Sequence, residues 1–243
     1  MSNIAELLQT NQTLSYEFSP PKTEAQAAAL RTAVDELAAT EPDFISITYG
    51  AMGSTREATK DFAIRQNVLR SFPAMPHLTC VGQRPEKIKD LLVEYAGEGV
   101  ENILALRGDG DEPGAFVHAI GLATFIKDCF PWMSVGVAAH PEVHPASASR
   151  ESDRQHLAAK LEVADFAITQ FFFDPNDYHR LIDELDDLGC NKPIIPGIML
   201  FGSAGGLARM AALNNATIPE KLANRLERTA PADMGKLALD TAL

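Results

Sequence analysis

The chain has 243 residues, 46% of them hydrophobic and 22% charged, which is ordinary for a globular protein with a sizeable core. At ~150 residues per domain the length allows one or two domains, and a single α/β barrel also fits. The formal net charge of −12 argues against a surface that tracks nucleic-acid phosphates, and no run approaches the ~18 apolar residues of a membrane span. Cys80, Cys129 and Cys190 lie far apart and suit buried thiols of a reducing compartment. Met1–Thr10 lacks the basic head and apolar stretch of a secretory signal, so a cytoplasmic location is expected.

Short β-rich runs recur along the chain: Leu14–Phe18, Phe44–Tyr49, His77–Val81, Ile103–Leu106, Ser134–Ala139, Phe166–Phe171 and Ile194–Ile198. Their midpoints lie about 26–33 residues apart, the length of one βα unit. Helical patterns fill the gaps. Ala25–Ala39 puts Leu30, Val34 and Leu37 on one face, and Pro85–Ala96 does so with Ile88, Leu91, Leu92 and Tyr95. His156–Val163 carries Leu157 and Leu161, and Asp174 is placed to cap a helix presenting Tyr178, Leu181, Ile182 and Leu185. After Ile198 only helical periods follow, at Leu207–Leu213, Ile218–Leu226 and Met234–Leu243. Residues 202–206, Gly-Ser-Ala-Gly-Gly, have the composition of a flexible linker.

Alternating β and α leaves a doubly wound open sheet or a (β/α)8 TIM-type barrel. No G-x-G-x-x-G follows the first strand, which disfavours the dinucleotide-binding sheet. Polar residues end several strands: Glu17, Thr48, Arg107 with Asp109, His140 with Glu142 and His144, and Gln170. In a barrel such ends converge on one rim, where active sites are built. The expectation is an α/β, (β/α)8 TIM-barrel fold forming a single domain over residues 1–243. Seven strands are recognisable and the eighth is missing, so the domain is short at its C-terminal end. An incomplete barrel leaves strand edges unpaired, which keeps self-association open.

Six segments then carry a resemblance. Tyr16–Thr23 reads YEFSPPKT, Ile47–Ala51 reads ITYGA and His77–Cys80 reads HLTC. Leu106–Asp109 reads LRGD, Pro141–Pro145 reads PEVHP and Ile168–Asp174 reads ITQFFFD. Together and in this order they resemble the methylenetetrahydrofolate reductase family, from about Ser15 to Pro219. The resemblance implies a (β/α)8 barrel that binds FAD and reduces 5,10-methylenetetrahydrofolate to 5-methyltetrahydrofolate with NADH or NADPH. That would place the chain in one-carbon metabolism and methionine biosynthesis, with a folate as its small-molecule partner and no nucleic acid or membrane.

Glu17 is the candidate acid. Opening the methylene-folate ring needs a proton at a departing nitrogen, and apolar neighbours can raise a carboxyl pKa enough to supply it. Without the resemblance a strand-end glutamate better suits a solvated or salt-bridged role. The family's acid matches Glu17. Its flavin-tuning carboxylate matches Asp109, and its folate- and nicotinamide-holding amide matches Gln170. These three are the expected catalytic residues. Expected cofactor contacts are Thr48, His77, Leu106, Arg107, Gly108, Asp109, Ala119, Ala138, His140, His144, Asp153 and Lys160. By type alone, Arg107 with Asp109 can be a structural pair, His77 a core histidine, Lys160 an exposed helix lysine, and Gln170 a strand cap facing water. His140-Pro141-Glu142-Val143-His144 is not read as a metal site, because H-E-x-x-H chemistry needs a helix and Pro141 follows the first histidine. Phe171–Phe173 suit core packing better than a stacking platform.

Several positions depart from the family pattern. His140 stands where the family carries a flavin-stacking Tyr or Phe. Gly110–Gly114 is short, and Phe116-Val117-His118-Ala119 replaces an F-x-Y-A pattern. Leu200–Gly206 replaces a loop that holds a folate-contacting Gln, and the last strand with its Arg is absent. These departures keep two other readings in view: a flavin-independent member that transfers hydride directly, and a folate- or flavin-binding remnant without turnover.

Overall fold

The computed structural model describes residues 3–49, 56–108 and 114–242, so Asp109 lies outside the described residues. Among the described residues there are seven strands: β1 (Ser15–Phe18), β2 (Phe44–Ile47), β3 (Ala74–Thr79), β4 (Asn102–Leu106), β5 (Ser134–Ala139), β6 (Phe166–Thr169) and β7 (Ile194–Ile195). They follow one another in the sheet in sequence order, and β1 to β5 and β6 to β7 pair parallel. Helix α1 (Ile4–Thr10) precedes β1. The crossovers are α2 (Glu24–Ala38), α3 (Arg56–Leu69), α4 (Pro85–Gly97), α5 (Ala119–Cys129), α6 (Arg150–Val163) and α7 (Pro175–Asp187). After β7 come α8 (Ala204–Asn214), α9 (Glu220–Arg228) and α10 (Met234–Ala242), with no further strand among the described residues. Sequential parallel strands with a helix in each crossover are the winding of a (β/α) barrel. No described helix is long and apolar enough to cross a membrane.

The chain forms two compact units, one of residues 1–137 with 162–166, the other of 138–161 with 167–243. In the first, β2, β3 and β4 are buried almost throughout, as strands covered on both faces must be. Phe44, Ile45, Ile47, Met75, Leu78, Ile103 and, from the helices, Ile88, Leu92, Tyr95 and Leu122 make its core. Two buried polar residues at strand starts have a specific task. Asn102 Oδ1 accepts the Ile4 N–H at 2.9 Å and Ser134 Oγ accepts the Ala5 N–H at 3.1 Å. These are first-turn donors of α1 that no helical carbonyl can reach. Gly136 in β5 is required by close approach, since an added Cβ would lie 2.6 Å from Phe166 Cε2.

In the second unit α8, α9 and α10 close on a shared core of Leu207, Leu222, Leu226, Met234, Leu237 and Ala238, with Phe201 from the preceding loop. Residues 202–206 are therefore not a linker. Ser203 caps α8, its Oγ accepting the Gly206 N–H at 3.1 Å, and the Gly-rich stretch becomes the first helical turn.

Element boundaries differ from the sequence reading where proline or serine intervenes. β3 begins at Ala74, not His77, and accommodates Pro76, while Asn67 Oδ1 takes the Ala74 N–H. β7 is only Ile194–Ile195, because Pro196 has no N–H to continue the ladder. α6 starts at Arg150, six residues before His156, with Ser149 Oγ accepting the Ser152 N–H. The Asp174 cap forms as expected, its carboxylate accepting from the Asn176 N–H.

Asn102→Ala leaves the buried Ile4 N–H without an acceptor. Denaturant unfolding should show a loss of about 1–3 kcal/mol, whereas substitution of exposed Gln9 should change stability by less than about 0.5 kcal/mol.

Candidate active site

In the first unit, polar side chains gather at the C-terminal ends of β1 to β3. Glu17 and Ser46 are register partners on β1 and β2, and His77 stands on β3. The Ser46 hydroxyl donates to Glu17 Oε2 at 3.4 Å, and His77 Nε2 lies 3.5 Å from the same oxygen. The His77 side chain is only 8% exposed, while that of Glu17 is 54% exposed and so open to an incoming molecule. Desolvation raises the Glu17 pKa, and the Ser46 hydrogen bond opposes it. Burial pushes His77 down to about 4, so its ring is neutral at pH 7. Its Nε2 is buried without a hydrogen-bond partner among the described residues. An orphaned ring nitrogen beside a carboxyl of raised pKa suits a polar atom of a bound molecule.

Thr48 lies just after β2. Its hydroxyl donates to Ser19 Oγ at 3.0 Å and its carbonyl accepts from Thr59. At the end of β4, the Leu106 and Arg107 carbonyls both face the Cys80 N–H, at 3.1 and 3.2 Å. Burial raises the Cys80 thiol to about 11, against the pull of the Arg107 charge, so it is an inert thiol. Gly108 sits at φ +87°, and an added Cβ would lie 2.8 Å from Thr79 Cβ, so both conformation and space demand glycine there. Ala119 is the first residue of α5 and is buried. The structure thus brings Ser46 and His77 to the same Glu17 oxygen, and sets Thr48 and Leu106–Gly108 at neighbouring strand ends.

In the second unit the segment after β5 folds over the start of α6. The His140 and His144 rings stand at 81° with centroids 4.5 Å apart. Asp153 Oδ1 accepts from the His144 N–H and from the Ser147 hydroxyl at 2.8 Å. Lys160 is not an exposed helix lysine. Its Nζ donates to the Ala138 carbonyl at 2.6 Å, and burial lowers its pKa to about 8, opposed by Asp153, which still leaves it cationic at pH 7. His140 is pushed down to about 4, first by burial and then by His144, Lys160 and Arg154, with Asp153 acting the other way. Gln170 follows β6, its N–H on the Ala139 carbonyl and its Nε2 donating to Asn214 Oδ1 at 2.7 Å. The phenylalanines after it pack within the protein. Phe171 is buried against Phe173, and Phe172 stacks on Tyr178 at 5.8 Å and 9°.

Arg154 is the residue that the sequence reading missed. Its side chain is 3% exposed. Nη1 donates to the His140 carbonyl and to Asp153, Nη2 to the Pro141 and Glu142 carbonyls, and Nε to Glu184 Oε2 at 2.6 Å. One planar guanidinium thereby fixes the whole segment from His140 to Glu142. The signal was a charge on the inward face of α6, in line with Leu157 and Leu161. It becomes visible only when the helix is started at Arg150.

The neutral histidines set an acid limit. His77 binds a proton near pH 6.5 when unfolded and near 4 when folded, so the unfolded state takes up more protons between those values. Its contribution is present above pH 6.5 and is lost as pH falls towards 4. The unfolding free energy of His77→Gln should fall less steeply than wild type over that window. Parallel profiles would mean that His77 carries no such linkage.

Comparison with known proteins shows the family. The family model described as methylenetetrahydrofolate reductase matches residues 1–242. The "5,10-methylenetetrahydrofolate reductase" of Escherichia coli (strain K12) is 34% identical over 218 residues, covering 88% of this chain and 73% of that protein. "Methylenetetrahydrofolate reductase (NADH) 1" of Arabidopsis thaliana is 34% identical over 247 residues, covering 93% of this chain and 42% of that protein. Among solved structures, an uncharacterized protein from Clostridium thermocellum, described as binding two copies of 5-methyl-5,6,7,8-tetrahydrofolic acid, superposes with a TM-score of 0.70 at 17% identity. The match covers 99% of this chain and 85% of that one. At that identity the likeness concerns the fold, and the fold it supports is the barrel type read from the strands. The chain belongs to the methylenetetrahydrofolate reductase family of oxidoreductases.

Proposed function

We propose that the chain reduces 5,10-methylenetetrahydrofolate to 5-methyltetrahydrofolate with NADH or NADPH through bound FAD, in the cytoplasm. The observation that carries the reading is the Glu17–Ser46–His77 cluster, where a carboxyl of raised pKa meets a buried, neutral imidazole whose Nε2 has no hydrogen bond among the described residues. FAD, when bound, supplies the two-electron relay between nicotinamide and folate. The residues present fit such a group. His77 Nε2 is an orphaned buried atom that a polar ring edge would satisfy. Lys160 is a half-buried cation that donates to the Ala138 carbonyl, its one acceptor among the described residues, and its other N–H groups suit a phosphate oxygen. His140 offers a neutral ring where the family carries a Tyr or Phe.

Glu17 does the proton work. Breaking a carbon–nitrogen bond of the methylene bridge leaves electron density on nitrogen, and a carboxyl that retains its proton delivers it there. The raised pKa keeps more of Glu17 protonated as pH approaches neutrality, and half-exposure lets substrate reach it. Because the protonated form is the active one, the folate step should slow as pH rises through the Glu17 pKa. Gln170 supplies an amide with both a donor and an acceptor for a heteroaromatic edge. Asp109, Arg107, Gly108, Thr48, Leu106, Ala119, Ala138, His144 and Asp153 complete the proposed contacts.

Glu17→Gln keeps size and hydrogen bonding but removes the transferable proton. Folate reduction should slow by about 10²–10⁴-fold, while NADH bleaches the flavin within about tenfold of the wild-type rate. Equal slowing of both would make Glu17 a positioning residue, and no slowing would place the acid elsewhere. Lys160→Ala should weaken FAD binding by about 1–3 kcal/mol in titrations of the apoprotein. Unchanged affinity would remove Lys160 from the phosphate contact.

A further inference from the structure

Gln170 is held by a hydrogen-bonded relay with a fixed direction. The Phe171 N–H donates to Gln170 Oε1 at 3.0 Å. Gln170 Nε2 donates to Asn214 Oδ1 at 2.7 Å. Asn214 Nδ2 donates to the Met210 carbonyl at 2.9 Å. The two ends of this relay are backbone groups. An N–H can only donate and a carbonyl can only accept, so the atom facing Phe171 must be oxygen and the atom facing Met210 must be nitrogen. Turning either amide over would set donor against donor at one junction and acceptor against acceptor at another. Both orientations are therefore determined by chemistry.

We propose that Asn214 is a positioning residue which locks the Gln170 amide, so that it meets the folate and the nicotinamide in one orientation only. This rests on the role of Gln170 in the function proposed above. With the relay in place, Gln170 has one N–H and one oxygen lone pair left to offer. Their complement is an acceptor beside a donor, the pattern shared by a primary carboxamide and by a cyclic amide in a fused heteroaromatic ring. A free glutamine amide would present both orientations and lose part of its binding energy to ordering on each encounter. Asn214 suits the task because of its place on α8. It lies in the last turn, where its Nδ2 reaches the carbonyl four residues back, and Asn215 ends the helix in a left-handed conformation at φ 53°. The tie therefore joins the loop after β6 to a helix that is itself anchored by Leu207 and Ala211.

The test uses the flavin-loaded protein and the variants Asn214→Ala, Asn214→Asp, Gln170→Ala and the double variant Asn214→Ala/Gln170→Ala. Alanine suits a helix, so Asn214→Ala should fold. In the resting protein one side-chain amide proton of Gln170 should be shifted downfield and slow to exchange. Asn214→Ala should abolish this, and Asn214→Asp, which keeps an acceptor towards Gln170, should retain it. In turnover, Asn214→Ala should raise KM for the folate about five- to tenfold, the worth of one hydrogen bond, with kcat within about twofold. The double variant should be no worse than Gln170→Ala, because Asn214 acts through Gln170. Multiplying effects in the double variant, or a Gln170 amide signal that Asn214→Ala leaves unchanged, would overturn the proposal. If wild type reduces no methylene-folate, the proposed function fails, and the amide signal still decides whether Asn214 holds Gln170.

Discussion

A parallel strand covered on both faces leaves polar chemistry nowhere to stand but its ends. β2, β3 and β4 show the consequence in this protein. Their side chains are buried along nearly their whole length. The polar residues they do contain either satisfy backbone donors at the strand starts or face the functional ends. Asn102, with Ser134 of β5, belongs to the first kind, holding the first turn of α1. Ser46 and His77 belong to the second, meeting Glu17 of the half-exposed β1. The same separation of stability and chemistry is the general rule of the barrel fold.

Burial also decides which charges the candidate residues carry at neutral pH. Both His77 and His140 are held neutral, with values near 4. Lys160 falls to about 8 yet keeps its proton. Glu17 moves the other way from an ordinary carboxylate and holds its proton longer. At neutral pH the His77 and His140 rings are uncharged and Lys160 stays positive, while burial favours the protonated form of the Glu17 carboxyl. Arg154 makes this arrangement stable in the second unit. A guanidinium that is almost wholly buried is tolerable only when its donors are paired, and here Asp153, Glu184 and three carbonyls take them.

Much of the fold was legible because the apolar runs and helical stripes are strong. All seven strands and their order in the chain could be read, as could the Asp174 cap. The misreadings have local causes. Pro76 hides the start of β3, and Pro196 cuts β7 to two residues. The Gly-rich stretch at 202–206 reads as flexible until Ser203 is seen to cap a helix. The candidate residues were legible as types at strand ends and as matches to a family pattern. Their partners were not, because they depend on contacts distant in sequence. Ser46 is 29 residues from Glu17, and Asn214 is 44 from Gln170. No periodicity encodes either pairing. Arg154 lay nearer to view, as a charge in an apolar stripe, and was lost with the first turns of α6.

The central claim is that this chain carries hydride from a nicotinamide to a folate by way of a bound flavin. Anaerobic mixing of the purified protein first with NADH and then with 5,10-methylenetetrahydrofolate tests it directly. The account predicts a yellow protein whose visible flavin band is bleached by NADH and restored by the folate, with one 5-methyltetrahydrofolate formed per flavin reoxidised. A colourless preparation that still forms 5-methyltetrahydrofolate from NADH would contradict it, and would show that hydride passes to the folate directly.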